Sequence, residues 1–196
     1  MSDIPIEPLP PQAVRGAAAV MARAFHDDPA WRWIVPDAER RSRVLPSLFT
    51  APLRLESFRG NIVRSGDGTG IAIWVPPGQP RPTRAQIIRS GLPFTRLRLH
   101  RSEWSRLQRY LAANFAFRSS ALPPCWLLSG VAVEPERQGR GIGSALIGWV
   151  TERGVPCGLL TSLPENVPFY ERRGFEVVSE RSESDGTLRM WAMLRP

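Results

Sequence analysis

The 196-residue sequence contains no lysine, because all 26 of its basic residues are arginine. This absence excludes a Walker-type phosphate loop, whose Gly-Lys-Ser/Thr ending needs the amine. It also excludes kinase chemistry built on a strand lysine and catalysis through a lysine Schiff base. The exclusive use of arginine itself is typical of a biased genomic base composition rather than of one function.

Cysteine, histidine and long apolar runs are also scarce. Cys125 and Cys157 are too few for a disulfide framework, and their apolar, strand-like surroundings predict buried free thiols. His26 and His100 are isolated and no Cys-x-x-Cys spacing occurs, so no metal site is predicted. No stretch approaches the roughly 20 apolar residues of a membrane span, and no cleavable signal pattern stands out. We therefore predict a cytoplasmic protein with no membrane partner.

Length and composition fit one globular domain. The hydrophobic fraction is 42%, the charged fraction is 22%, and no internal repeat is visible. We predict a single domain over residues 1–196.

Hydrophobic periodicity and turn signals predict a mixed α/β chain. The first half is predicted as a strand at 3–9, a helix at 11–25, a helix at 38–57 capped by Asp37, and hairpin strands at 60–65 and 70–75. The second half is predicted as a helix from 102, a strand at 126–133, a helix at 141–153, a strand at 157–162, a helix at 165–172, and strands at 175–180 and 187–194 around a turn at Ser184-Asp185-Gly186. This order indicates a mixed sheet with a glycine-rich turn at its middle.

Residues 126–146 carry most of the functional information. An apolar strand pattern passes into the glycine-rich turn Gln138-Gly-Arg-Gly-Ile-Gly143, which opens into a helical pattern. Such a turn directs several backbone N–H groups and the positive end of a helix at one point, which suits a phosphate. The dinucleotide fingerprint Gly-x-Gly-x-x-Gly is not present, because its third glycine position is occupied by Ser144 or by Leu146.

Two motifs in this order closely resemble the GNAT superfamily of acyl-CoA-dependent N-acetyltransferases. The first comprises Val131-Ala-Val133, Pro135 and the run from Gln138 to Leu146, and the second is Asn166-Val-Pro-Phe-Tyr170-Glu-Arg-Arg-Gly174-Phe175. The sequence as a whole resembles the branch of that superfamily that contains puromycin N-acetyltransferase and related small-molecule acetyltransferases.

The resemblance implies a fold and a co-substrate. The implied fold is a mixed, mostly antiparallel central sheet with helices on both faces and a splayed strand at the acetyl-CoA site. The co-substrate is acetyl-CoA, with backbone N–H groups of the strand before the turn binding pantetheine and the acetyl oxygen. The implied cofactor-binding residues are Val131, Ala132, Val133, Gln138, Gly139, Arg140, Gly141, Ile142, Gly143, Ser144 and Asn166.

Transfer of an acetyl group from a thioester to an amine needs a neutral amine, a donor for the oxyanion and a proton for the thiolate. The resemblance places the general acid at Tyr170. A phenol near its reference pKa of about 10 is protonated at neutral pH and is close to the thiol pKa of about 8.5.

The general base is not identified by the sequence. The strand at 126–133 offers only Ser129 as a polar side chain, and Cys125 stands where close relatives often carry a histidine. Three carboxylates, those of Asp27, Asp28 and Glu103, remain candidates that would act through water.

The acceptor is predicted to be a primary amine of a small molecule. The family resemblance implies an acceptor pocket between the first two helices and the later strands, where five tryptophans fall, namely Trp31, Trp33, Trp74, Trp104 and Trp126. A pocket with apolar, flat walls favours an aromatic or alkyl amine over a polar sugar. The sequence leaves a homodimer open.

Two other functions compete with acetyl transfer. The segment 81–118 carries nine arginines and one acid, Glu103, which suggests a nucleic-acid or acidic-partner binding module. Against this, Trp104, Leu107, Leu111 and Phe115 form one apolar helical stripe and no nucleic-acid fold signature is present, so a solvated helix face is favoured and no nucleic acid is expected. The missing base leaves a catalytically idle CoA-binding protein as the third possibility.

Overall fold

The computed structural model describes residues 4–182 and 189–196, which form a seven-stranded sheet and eight α-helices. The strands are β1 Ile6–Pro8, β2 Ile62–Ser65, β3 Gly70–Val75, β4 Trp126–Val133, β5 Cys157–Thr161, β6 Glu176–Ser182 and β7 Arg189–Arg195. Their order across the sheet is β1-β2-β3-β4-β5-β7-β6. Every neighbouring pair is antiparallel except β4 and β5, which are parallel.

The helices lie on both faces of the sheet. They are α1 Val14–Ala24, α2 Pro29–Ile34, α3 Ala38–Ser57, α4 Arg84–Ser90, α5 Leu92–Thr95, α6 Arg101–Ala121, α7 Ile142–Thr151 and α8 Asn166–Glu171. As expected, Asp37 caps α3, with its carboxylate accepting the Arg40 N–H at 2.7 Å. Within the described ranges, no helix has the length and apolar character needed to cross a membrane.

The two faces of the sheet bury separate apolar cores. Along β3, Ile71 and Ile73 join the core formed with α1 and α3, whereas Ala72 and Trp74 join the core formed with α7. This alternation follows from the two-residue period of a strand. The Trp74 indole satisfies its N–H by donating to the Leu146 carbonyl at 3.2 Å.

The centre of the sheet is split. The parallel pairing of β4 with β5 covers only Trp126–Leu128 against Cys157–Leu159, and the rest of β4 pairs with β3 alone. A gap therefore opens between the C-terminal half of β4 and β5. This is the splayed strand that the family resemblance implies, and the mixed, mostly antiparallel sheet with helices on both faces is confirmed.

The structure also corrects the sequence-based expectations. Helices α4 and α5 lie in the segment 81–100, for which no element was predicted. Cys125 is only half-buried, although Cys157 is buried and both thiols are free as expected. The predicted turn at Ser184-Asp185-Gly186 lies outside the described residues.

Candidate active site

A cleft of about 950 Å³ lies where β4 and β5 separate. One end is formed by the glycine-rich turn and the start of α7, and one wall is formed by α8. The other wall comes from the segment around α2 and from α6. The cleft thus joins the predicted phosphate turn, the free edge of β4 and the predicted acceptor side in one continuous space.

The glycine-rich turn presents a row of unused backbone donors. The six N–H groups from Gly139 to Ser144 donate no hydrogen bond within the described chain, and the first of the helical series runs from Ala145 to the Gly141 carbonyl at 3.0 Å. Gly139 and Gly141 have φ values of 75° and 85°, which only glycine adopts without strain. Free N–H groups at the start of a ten-residue helix form a site for an anion.

Side chains of the predicted phosphate turn play different parts. The Gln138 amide donates to the Val133 carbonyl at 3.2 Å and thereby ties the turn to the end of β4. The Arg140 side chain is exposed and, alone among the predicted site residues, is not on the lining of the cleft. Any contribution of Arg140 to this site therefore comes through its backbone N–H.

The free edge of β4 directs two N–H groups into the gap. The Glu134 N–H donates to the Thr69 carbonyl at 2.8 Å, so it points inward, toward the chain that leads into β3. Because inward and outward N–H groups alternate along an antiparallel strand, those of Val131 and Val133 point away from β3 and toward the cleft. These are the two residues that the family resemblance implies for the pantetheine and the acetyl oxygen.

Tyr170 lies on the cleft wall formed by α8. Its ring packs edge-on between Phe169 and Phe175, at centroid distances of 5.2 and 6.0 Å. Its hydroxyl makes no hydrogen bond to any described residue. Burial raises the pKa of Tyr170 to about 12, with a smaller opposing effect from Arg173. The expectation of a pKa near 10 is corrected accordingly.

Asn166 is the first residue of α8 and also lines the cleft. Its side-chain amide makes no hydrogen bond within the described ranges, and the helix has no side-chain cap. The amide is therefore available to a ligand instead of serving as an N-cap.

Arg173 is a site residue that sequence reasoning missed. Its guanidinium carbon lies 3.6 Å from the Phe169 ring centroid, and its terminal nitrogens donate to the Phe169 carbonyl and the Ser144 hydroxyl. It has no acidic partner among the described residues, and its Nε is buried without an acceptor. Burial lowers the pKa of Arg173. The available sequence signal was its position three residues after Tyr170, which is one helical turn away.

Two of the three candidate bases are engaged elsewhere. Glu103 is buried, accepts two hydrogen bonds from Arg40 at 2.7 and 2.8 Å, and accepts the His100 N–H at 2.7 Å as part of a capping box. The Asp27 side chain is 82% exposed and contacts Arg41 at 3.6 Å. Neither residue lines the cleft.

Asp28 is the carboxylate that faces the cleft. It caps α2, with Oδ1 accepting the N–H groups of Ala30 at 2.9 Å and Trp31 at 3.4 Å. Its Oδ2 accepts no hydrogen bond from the described residues. Burial raises the pKa of Asp28, and the two backbone hydrogen bonds oppose that shift.

Apolar side chains line the predicted acceptor side of the cleft, but only one of the five predicted tryptophans is among them. Trp31 lines the cleft, whereas Trp74 is buried in the core below α7. The Trp33 and Trp104 rings lie under arginine side chains, and Trp126 packs against the same core as Trp74. The prediction that five tryptophans surround the acceptor is therefore wrong for four of them.

Helix α6 supplies the apolar surface instead. Leu111 and Phe115 are 56% and 62% exposed, and both line the cleft. They continue the predicted stripe from the buried Leu107, but the gap below them leaves this half of the stripe uncovered.

The described residues contain no group of three or more histidine, cysteine, aspartate or glutamate side chains arranged to hold a metal.

Comparison with known proteins gives an independent assignment. Residues 108–177 match the family model of the acetyltransferase (GNAT) domain. The sequence is 27% identical over 170 residues to an uncharacterized N-acetyltransferase of Schizosaccharomyces pombe, covering 81% of this chain and 69% of that protein.

Solved acetyltransferase structures share the fold over nearly the whole chain. A Corynebacterium glutamicum structure described as a histone acetyltransferase HPA2 and related acetyltransferase has a TM-score of 0.66 at 20% identity, covering 98% of this chain and 96% of that one. Arylalkylamine N-acetyltransferase 2 of Aedes aegypti gives 0.61 at 13% identity and covers 99% of both chains. The Drosophila melanogaster polyamine N-acetyltransferase gives 0.59 at 14% identity, covering 98% of this chain and 99% of that one. The two sequence motifs, the split sheet and these matches agree, and together they support a GNAT superfamily N-acetyltransferase.

Proposed function

We propose that this acetyltransferase moves the acetyl group of acetyl-CoA to the primary amine of a small molecule, by direct attack of the amine on the thioester. One observation carries the proposal. A single cleft contains the free N–H groups of the glycine-rich turn, the outward N–H groups of β4, the Tyr170 hydroxyl and the Asp28 carboxylate. These are the groups that the proposed reaction requires: donors for the phosphates, donors and an acid for the thioester, and a base for the amine.

In this proposal the pyrophosphate of acetyl-CoA lies on the N–H groups from Gly139 to Ser144, at the positive end of α7. Ile142 and Gly143 take part through their backbones, and the Ser144 hydroxyl is held by Arg173. The pantetheine arm follows β4 past Ala132, bonded by Val131 and Val133 on one side and by the Asn166 amide on the other. No metal is needed for this chemistry.

The reaction begins when the acceptor ammonium loses a proton to Asp28 through a water molecule. Burial raises the pKa of the Asp28 carboxyl toward neutral pH. The carboxylate is therefore a stronger base at neutral pH than an exposed aspartate is. The neutral amine then attacks the acetyl carbon, and the negative charge that develops on the carbonyl oxygen is stabilised by an N–H group of the β4 edge. Backbone donors fixed by the sheet need no rearrangement at that moment.

Collapse of the tetrahedral intermediate breaks the carbon–sulfur bond and releases the CoA thiolate, while the nitrogen loses its second proton to water in the open cleft. Tyr170 is the general acid that protonates the sulfur. With a pKa of about 12, the phenol is fully protonated at neutral pH. Because the free thiol has a pKa of only about 8.5, the proton moves to sulfur late, as the phenolate regains a proton from water. Until then the hydroxyl stabilises the developing thiolate through a hydrogen bond.

The lining of the acceptor side favours an aromatic or alkyl amine. Phe25, Trp31, Leu111 and Phe115 supply apolar surface there. Structures of the same fold include a polyamine and an arylalkylamine N-acetyltransferase, both of which by name acetylate amines. The apolar wall supports the arylalkylamine type of acceptor over a polyamine.

An amine-panel assay tests this function. Purified protein is incubated with acetyl-CoA and aromatic, alkyl, polyamine and aminosugar acceptors, with free CoA thiol and the mass of the N-acetyl product as readouts. We expect turnover with aromatic or alkyl amines and a mass increase of one acetyl group. Binding of acetyl-CoA with no turnover of any amine would favour the catalytically idle alternative.

A further inference from the structure

One cationic side chain that lines the cleft has no hydrogen-bond or ion-pair partner among the described residues. Helix α6 presents a single face to the cleft, formed by residues at spacings of three and four positions. That face consists of Tyr110, Leu111, Asn114, Phe115 and Arg118. Its one charged member is Arg118.

The surroundings of Arg118 leave its guanidinium free to bind an anion. The guanidinium carbon lies 5.3 Å from the centroid of the Phe115 ring, so the side chain folds back along the helix over the apolar wall. It makes no hydrogen bond or ion pair with any described residue. Glu103, the acid of the same helix, is already paired with Arg40.

Arg118 lies at the opposite end of β4 from the phosphate turn. The Arg118 carbonyl accepts the Leu122 N–H at 3.0 Å in the last turn of α6, and only three residues separate Leu122 from Trp126, the first residue of β4. The eight residues of Trp126–Val133 span about 23 Å at about 3.3 Å per residue. The phosphates of acetyl-CoA at the far end of the strand are therefore not the partner of Arg118.

We infer that the acceptor carries a carboxylate as well as its amine, and that Arg118 binds this carboxylate while the apolar body packs on Leu111 and Phe115. The planar guanidinium matches a carboxylate with two parallel hydrogen bonds, and stacking on Phe115 already orders its side chain. Asp28 and Arg118 then face the two charges of an amphoteric acceptor. Aromatic and other apolar amino acids are the simplest members of this class. This inference rests on the proposed acetyl transfer and refines its acceptor.

Three acceptors that differ at one group test the inference. L-phenylalanine has the carboxylate, L-phenylalaninamide replaces it with an uncharged group of similar shape, and phenethylamine lacks it. We expect kcat/KM for L-phenylalanine to exceed that for the amide by about 10- to 100-fold, the range expected for hydrogen bonds between charged groups. Arg118→Gln should abolish this preference, mainly through KM for L-phenylalanine, and should leave the rates with the two acceptors that lack the carboxylate unchanged.

A matched control is Arg153→Gln. Arg153 also lies over an aromatic ring, with its guanidinium carbon 5.4 Å from the Trp149 centroid, but it is not on the cleft lining. This variant should retain the preference for L-phenylalanine. A preference that survives Arg118→Gln, or turnover only of the two amines that lack the carboxylate, would overturn the inference and leave acetyl transfer standing. Turnover of none of the three acceptors would overturn the inference and the aromatic acceptor together.

Discussion

Replacing Tyr170 with phenylalanine separates chemistry from binding and folding. The hydroxyl makes no hydrogen bond within the described chain, so its removal leaves no protein group unpaired. The ring contacts with Phe169 and Phe175 remain. We therefore expect the free energy of unfolding to change by less than about 0.5 kcal/mol, which is small beside the typical effect of a core mutation.

The effect on catalysis should be large. Loss of one donor to a developing anion in a water-excluded site reduces kcat by about 100-fold or more, which corresponds to about 2.7 kcal/mol of transition-state stabilisation. The Kd of acetyl-CoA should stay within about twofold, because the turn and the β4 edge hold the cofactor. The assay measures thiol release at saturating amine, with the acetyl-CoA Kd determined by calorimetry and the melting temperature on the same sample. A normal kcat would remove Tyr170 from the mechanism, and a parallel loss of acetyl-CoA affinity would assign it to binding instead.

Three further predictions test other parts of the site. Gly141→Ala forces an L-residue to a φ of 85° at a cost of about 1–2 kcal/mol. The substitution should reorient the turn and raise the acetyl-CoA Kd at least tenfold. An unchanged Kd in calorimetry would contradict the anion site. Asp28→Asn keeps a residue that caps α2, so the melting temperature should hardly move while kcat at neutral pH falls about 100-fold; unchanged kcat would exclude Asp28 as the base. Tyr110 and Tyr170 both have a pKa of about 12 in the folded protein, whereas tyrosine in an unfolded chain ionises near 10. The free energy of unfolding should therefore fall as pH rises from about 10 to 12, by up to about 2.7 kcal/mol per residue. A constant free energy of unfolding over this range, measured with urea, would contradict the burial of the two phenols.

Local signals predicted the elements that position the cofactor. The apolar run of β4 and the glycine spacing after it are short-range features, and the structure places β4 and α7 where they were expected. Helix α4 had a local signal that was overlooked, since Thr83 and Gln86 form a capping box and Gly91 ends the helix with a φ of 85°. Sequence alone was sufficient to find that helix.

Local sequence patterns could not predict which side chains line the acceptor side of the cleft. The exposure of Leu111 and Phe115 depends on the gap between β4 and β5, because the same stripe is buried one turn earlier at Leu107. The sequence does not distinguish among the three candidate bases Asp27, Asp28 and Glu103. Only the folded structure shows that Asp28 is the one that lines the cleft. The single-domain assignment and the cytoplasmic location stay predictions.

Binding of acetyl-CoA is the most direct test of the anion site on which the proposal depends. Thermal unfolding is measured with acetyl-CoA and CoA, and with NAD and ATP as controls, at a ligand concentration near 100 times the expected Kd. Stabilisation of about 2.7 kcal/mol by acetyl-CoA and CoA alone is the predicted result. Absence of a shift with any of the four ligands would contradict the assignment of the Gly139–Ser144 turn to the cofactor and would favour an anionic partner of the arginine-rich segment 81–118.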